Sequence, residues 1–227
     1  MPTILLTGGN GGLGRTVTQT LIRNGHTLFA THEAGHALPQ AANLTPIEAD
    51  LRDEAACQRA VAQSVAAGGT LDAAVLLAGG FAMGSLAETD YAAVEKMFQI
   101  NFQTAYNLVR PVVAQMEKQP EGGRIVLIGA RPALAPEAGQ HMVAYALSKS
   151  LVMHLSELIN AAGKAKNIVS TVILPSTIDT PANREAMPDA NPESWVSPAD
   201  LAELIQFVTF GPGRMLREPV LKAYNRA

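Results

Sequence analysis

Apolar positions along the chain fall into two kinds of run. Residues 3–6, 27–30, 73–77, 124–128 and 168–174 are short and almost continuously apolar, and several end at glycine or proline. Continuous apolarity, as opposed to alternation, belongs to strands buried on both faces. Between them lie longer runs of a different period. Leu13, Val17 and Leu21 recur every four residues, and Asn24-Gly25 closes the helix they predict. An alanine-rich helix is expected over 53–67, ended by Gly68-Gly69. Further helices are expected over roughly 90–118, in one or two pieces, over 141–162 up to Gly163, and over 199–209. A short third strand is expected at 47–50, after a loop-rich stretch 32–46 that holds Gly35, Pro39 and Pro46, and a last strand near 214–224.

Strands that alternate with helices, each strand apolar throughout, predict a Rossmann-like doubly wound parallel sheet with helices on both faces. The 227 residues suit one domain spanning 1–227, and 48% hydrophobic against 16% charged residues supplies a large core. Residues 176–198 break the pattern: they hold Pro181, Pro188, Pro192 and Pro198 and show little periodicity. So long a loop in a compact domain is a functional lid or a disordered segment, and a substrate lid around 176–198 is expected.

A net charge of −3 without a basic block argues against a nucleic-acid or anionic-membrane surface. The single cysteine, Cys57, has no soft ligand near it in sequence. It reads as a packing residue in a reducing compartment, and no metal site is expected. The N-terminus MPTILLTGG lacks a positive leader region, and the apolar run at 71–83 is broken by glycines and too short to span a bilayer. A soluble, cytoplasmic protein is expected.

Thr7-Gly8-Gly9-Asn10-Gly11-Gly12-Leu13-Gly14 joins the first strand to the first helix. Glycines there allow a tight turn and let a pyrophosphate approach the backbone, while the helix N-terminus offers free N–H groups and a positive dipole end. Position after the first strand of a βαβ unit makes the string far more specific than glycines alone. The end of the second strand, where an acid selects a ribose 2′-hydroxyl, carries Thr31-His32, with Glu33 one step late. Together with Arg15 just after the glycine loop, this leans to NADP(H) over NAD(H).

Tyr145 and Lys149 are four residues apart and share one helix face. A tyrosine of pKa about 10 exchanges protons poorly near neutrality, and a neighbouring ammonium lowers that value. The preceding strand ends in Gly129-Ala130. The glycine loop, Asp50-Leu51, Asn101 and Tyr145-x-x-x-Lys149 together resemble the short-chain dehydrogenase/reductase family over nearly the whole chain. The resemblance implies NAD(P)(H) bound at the carboxyl ends of the strands, with Thr7, Gly8, Asn10, Gly12, Leu13 and Gly14 on the phosphates. It implies Thr31, Asp50 and Leu51 around the adenosine, Ala78, Gly79 and Gly80 beside the cofactor, and Pro175, Ile178 and Thr180 at the nicotinamide, with Ser176 replacing the usual glycine. Tyr145 would be the proton donor, Lys149 would lower its pKa and bind ribose, and Asn101 would hold a water.

Three stretches resemble the dihydropteridine reductase branch of that family more closely: Leu77-Ala78-Gly79-Gly80-Phe81, the serine-free Gly129-Ala130-Arg131-Pro132, and the segment from Leu174 through Trp195. Family members that reduce carbonyls carry a serine at Ala130, where a hydrogen bond steadies the developing alkoxide. A quinonoid dihydropterin spreads that charge over a conjugated ring, so its reduction needs no such donor. Phe81, Met83, Met142 and Trp195 are candidate walls for a flat substrate, with His141 a polar contact. The alternatives are a ketone/alcohol enzyme of the same family that tolerates the lost serine, and a non-catalytic NAD(P)-binding redox sensor. A homodimer or homotetramer is implied by the resemblance, through apolar faces near 90–118 and 141–162.

Overall fold

The computed structural model describes residues 1–36 and 38–226. Seven parallel strands form one sheet: β1 (Thr3–Thr7), β2 (Thr27–His32), β3 (Leu44–Glu48), β4 (Ala73–Leu76), β5 (Gly123–Ile128), β6 (Ile168–Pro175) and β7 (Val220–Ala223). Their order is β3-β2-β1-β4-β5-β6-β7. The order reverses between β1 and β4, which opens a crevice outside the carboxyl ends of those strands.

Helices cover both faces. Helix α1 (Gly12–Arg23) and the last helix, Pro198–Thr209, pack on one side, where Ile4, Leu6, Leu21, Val126 and Ile205 form a core. On the other side α2 (Glu54–Gly68), the helices of 91–116 and the long helix Val143–Gly163 enclose Leu5, Leu71, Leu108, Ile125 and Val172. Each such side chain contributes roughly 1.5–3 kcal/mol on burial. Every residue of β1 and β6 is buried, as continuous apolar runs require.

Three boundaries differ from expectation. Strand β3 begins at Leu44, three residues early, and includes Pro46, which was assigned to a loop. It is an edge strand, and an edge tolerates a residue with no N–H to donate. The predicted 90–118 helix is α3 (Tyr91–Met97) and α4 (Thr104–Met116), joined by a π-helical turn at Phe98–Gln103. The predicted 141–162 helix is preceded by a short α5 (Pro136–Gly139) and begins as α6 at Val143. Met142 is held out of the helix because it bridges Gly84, whose N–H donates to His141 O (2.8 Å) and whose O accepts from Val143 N–H (2.9 Å).

The segment 176–197 is not bare loop: it contains α7 (Pro181–Ala186) and a single 3₁₀ turn at Pro192–Ser194 before α8 (Pro198–Thr209). Cys57 is fully buried and burial pushes its thiol up to about 11, so it packs and does not react. No helix among the described residues is long and apolar enough to cross a membrane.

Candidate active site

The glycine loop is shaped by contacts that exclude a Cβ. Gly8 has φ +68°, and a Cβ on it would lie 2.8 Å from Ala78 N. A Cβ on Gly14 would strike Gly8 O, so the first turn of α1 presses directly on the loop. Thr7 Oγ1 ties this loop to the end of β4 by accepting from the N–H groups of Leu77 and Ala78, both at 3.0 Å. Gly11 caps α1 without a side-chain hydrogen bond, so the N–H groups of the first turn remain available to an anion.

Beside this loop lies a cavity of about 460 Å³. Gly8, Asn10, Thr31, Asp50, Leu51, Ala78 and Gly79 line it, all expected around a dinucleotide. Leu13 does not face it: its side chain is buried among Leu6, Val17 and Leu21, so only its backbone belongs to the loop. Arg15 folds back to donate to Asn10 O (3.0 Å). Asp50 is not a free acceptor, since Arg52 grips both its oxygens at 3.0 and 2.9 Å and holds its carboxyl below the usual range. Sequence reasoning missed Arg52 and His36, which also line the cavity. Their signal was present, a basic residue directly after Asp50-Leu51 and a histidine shortly after β2, but only the pairing of β2 with β3 brings those turns together.

Farther along the crevice, Asn101 sits buried in the π-helical turn. Its Oδ1 accepts from Gly80 N–H (2.9 Å), and its Nδ2 donates to Gly80 O (3.1 Å) and Ser148 Oγ (3.0 Å). Both amide hydrogens are thus spent on protein, so the carboxamide braces the β4 turn against α6, and only Oδ1 keeps a lone pair for the expected water. Insertion of one residue into a helix is a recurrent way to aim such a side chain. Ser148 does not stand in for the missing serine: its hydroxyl donates back to Tyr145 O at 2.8 Å.

Lys149 is buried, and its Nζ donates to Ile128 O at 2.8 Å, the last residue of β5. Burial pushes it down to about 8. The Nζ is 5.9 Å from the centroid of the Tyr145 ring. Burial pushes the Tyr145 phenol up to about 12, opposite to the lowering expected from Lys149. At this separation desolvation outweighs the attraction of the ammonium. Gly79 completes the cluster: a Cβ there would lie 2.6 Å from Asn101 Oδ1 and 3.4 Å from Lys149 Nζ.

The candidate substrate residues separate into two groups. Phe81 stands edge-on to Tyr145 with ring centroids 5.0 Å apart, and is 58% exposed. The Gly84–Met142 bridge holds this loop against the start of α6, which brings Met83, His141 and Met142 to the same edge. Ala130 is buried at the end of β5 and offers no hydroxyl. Trp195, in contrast, is only 7% exposed, so it is a packing residue and not an open wall. Pro175 ends β6, Ile178 pairs with Val196, and Thr180 caps α7 while its methyl packs where a Cβ of Gly12 would be (2.7 Å).

A family model described as short chain dehydrogenase matches residues 2–191. The chain belongs to the short-chain dehydrogenase/reductase family. It is similar to a cyclic-di-GMP-binding biofilm dispersal mediator protein of Escherichia coli K12, 31% identical over 186 residues, covering 80% of this chain and 75% of that one. A dihydropteridine reductase of Dictyostelium discoideum is 32% identical over 136 residues, 59% of this chain and 57% of the relative. Among solved structures, ElxO with NADP bound superposes with a TM-score of 0.87 at 21% identity, covering 97% and 96% of the two chains. Family membership makes the protein an NAD(P)-dependent oxidoreductase built on the Rossmann-like fold described above.

Proposed function

We propose that the protein reduces a quinonoid dihydropterin, or a similarly conjugated flat ring, with NADPH as the preferred hydride source. One observation carries the substrate reading: Tyr145, Lys149 and Asn101 lie together, yet Ala130, two residues beyond the Ile128 carbonyl that holds Lys149, is buried and has no hydroxyl. A site kept intact but lacking the alkoxide donor suits a substrate whose charge is delocalised. The likeness to a dihydropteridine reductase over 136 residues supports the same reading.

The residues fit a dinucleotide. The uncapped N-terminus of α1 and the glycine backbone receive the pyrophosphate. Leu51 covers the adenine side of the cavity. Arg52 neutralises Asp50, and with His36 it leaves the ribose end without a free acid beyond Glu33, which favours a 2′-phosphate. When bound, the nicotinamide supplies the hydride. Tyr145, held protonated by burial, delivers its proton from Oη to the reduced ring. Lys149, with a pKa of about 8, is largely cationic at neutral pH and stabilises the phenolate left behind. Phe81 shields the phenol from water on its open side.

Segment 176–198 acts as the lid of this site. Exposed Phe98 and Tyr106 in the 91–116 stretch and exposed Leu147, Leu151 and Leu158 on α6 supply the apolar faces through which copies of the chain associate.

Oxidation of NADPH and NADH with chemically generated quinonoid dihydropterin tests the reading. Turnover well above background, faster with NADPH and lost in Tyr145→Phe, is expected. Brisk reduction of simple ketones with none of the pterin would replace this substrate. Tight cofactor binding without turnover of either would replace the enzyme with a sensor.

A further inference from the structure

The segment 176–197 has two parts that differ in burial. Its ends are partly or wholly buried and pair with each other: Val196 N–H donates to Thr177 O (2.8 Å) and Asp179 N–H to Val196 O (2.9 Å). Its middle, 181–190, is exposed except at Asn183 and Ala190. Trp195 lies where the exposed part returns to the buried one, with its N–H bonded to Pro192 O at 3.0 Å.

Three consecutive residues of the C-terminal stretch gather around this junction. Ala223 O accepts from Ser176 N–H at 3.1 Å, which continues the β6–β7 ladder by one step. Tyr224 O accepts from Ser176 Oγ at 2.8 Å, so the serine that replaces the usual glycine has a partner here. The Tyr224 ring carries the Arg131 guanidinium, 5.2 Å from its centroid, immediately after Ala130. Asn225 Nδ2 then donates to Trp195 O at 2.7 Å and to Glu193 O at 3.3 Å. Asn225 holds a left-handed backbone (φ 52°), which asparagine adopts more readily than most residues. One short stretch therefore touches the end of β5, the end of β6 and the closing residue of the segment.

We propose that Asn225 is a positioning residue for the reaction: its carboxamide latches Trp195, keeps both ends of the lid as a fixed base, and confines closure over the substrate to 181–191. The latch rests on the reading of 176–198 as a lid. Two main-chain carbonyls converge on one donor, and without that donor they must find water or shift. A base free to shift would place the exposed part in many positions, of which few cover the substrate, and the loss would fall on substrate capture.

Trp195 is the single tryptophan of the chain, so its emission reports this junction directly. Asn225→Asp keeps the size and the left-handed tolerance but turns a carboxylate toward the two carbonyls; Asn225→Gly keeps the backbone freedom and carries the test should the aspartate variant fail to fold. Both are expected to red-shift Trp195 emission and to speed amide exchange at 179 and 196. Both should raise KM for quinonoid dihydropterin about three- to tenfold while changing kcat less, the size of one lost hydrogen bond. Wild-type emission, exchange and KM in a folded variant would overturn the latch while leaving the enzyme reading intact. Altered emission and exchange in a protein that turns over no pterin would uphold the latch at the base of the segment and sink the substrate assignment.

Discussion

The two ends of the crevice are built differently. On the glycine-loop side the backbone shapes the crevice: Gly8 and Gly14 exclude any Cβ, Thr7 Oγ1 ties two N–H groups of the β4 turn, and the α1 N-terminus is left uncapped. On the substrate side, side chains from separate elements converge: Asn101 from a π-turn, Tyr145 and Lys149 from α6, Phe81 from the β4 turn. The first end is closely packed and offers backbone N–H groups, which suits any dinucleotide pyrophosphate. The second is where small changes of residue redirect chemistry.

The largest expected effect separates those ends outright. Tyr145→Phe should lower kcat by about 10²- to 10⁴-fold while NADPH titrates with unchanged affinity. Equal losses of turnover and cofactor affinity would erase the contrast.

Next is Ala130→Ser, which puts a hydroxyl two residues beyond Ile128, whose carbonyl holds Lys149. Ketone reduction should rise by up to about 10²-fold, and pterin reduction should move little. If the pterin rate rises as much as the ketone rate, delocalised charge does not explain the alanine.

Smaller again is the effect of Arg52→Ala on the generic end. With its partner gone, the Asp50 carboxylate faces the cavity alone and repels a 2′-phosphate. The NADPH-over-NADH preference should fall roughly tenfold by the scale of one charge interaction, read as a ratio of dissociation constants. An unchanged ratio would remove Arg52 from cofactor selection.

The smallest prediction lies outside both ends. His26 stacks on Phe210 (4.2 Å) and bonds Gln206 (2.9 Å), and burial lowers its pKa from 6.5. The unfolded chain thus binds a proton that the folded one resists, so stability should decline as pH falls below about 6.5. Denaturant midpoints from pH 7 to 5 should show that decline, and His26→Gln should flatten it.

Different parts of this molecule were legible for different reasons. The strands, the glycine loop and the Tyr145–Lys149 pair follow from local rules, because apolar runs, turns and helix spacing act over a few residues. Pro46 in β3 was not readable, since only the place of that strand at the sheet edge makes a proline tolerable. Nor was the π-turn, which is stabilised by the bonds that Asn101 makes to Gly80 and Ser148, 21 and 47 residues away. Trp195 is a candidate wall by its place in the proline-rich segment, and only the tertiary packing that leaves it 7% exposed shows what its ring rests against.

Sequence alone determined the doubly wound fold and the family, and named Tyr145, Lys149 and Asn101 as candidates that would meet in one place, because period, glycine spacing and the Tyr-Lys interval are properties of the local chain. Tertiary structure alone decided what those residues experience. Desolvation pushes Tyr145 up and Lys149 down, Arg52 occupies Asp50, and Asn225 reaches across 30 residues to Trp195. Burial and long-range hydrogen bonds depend on which elements meet in space, and no local pattern encodes that.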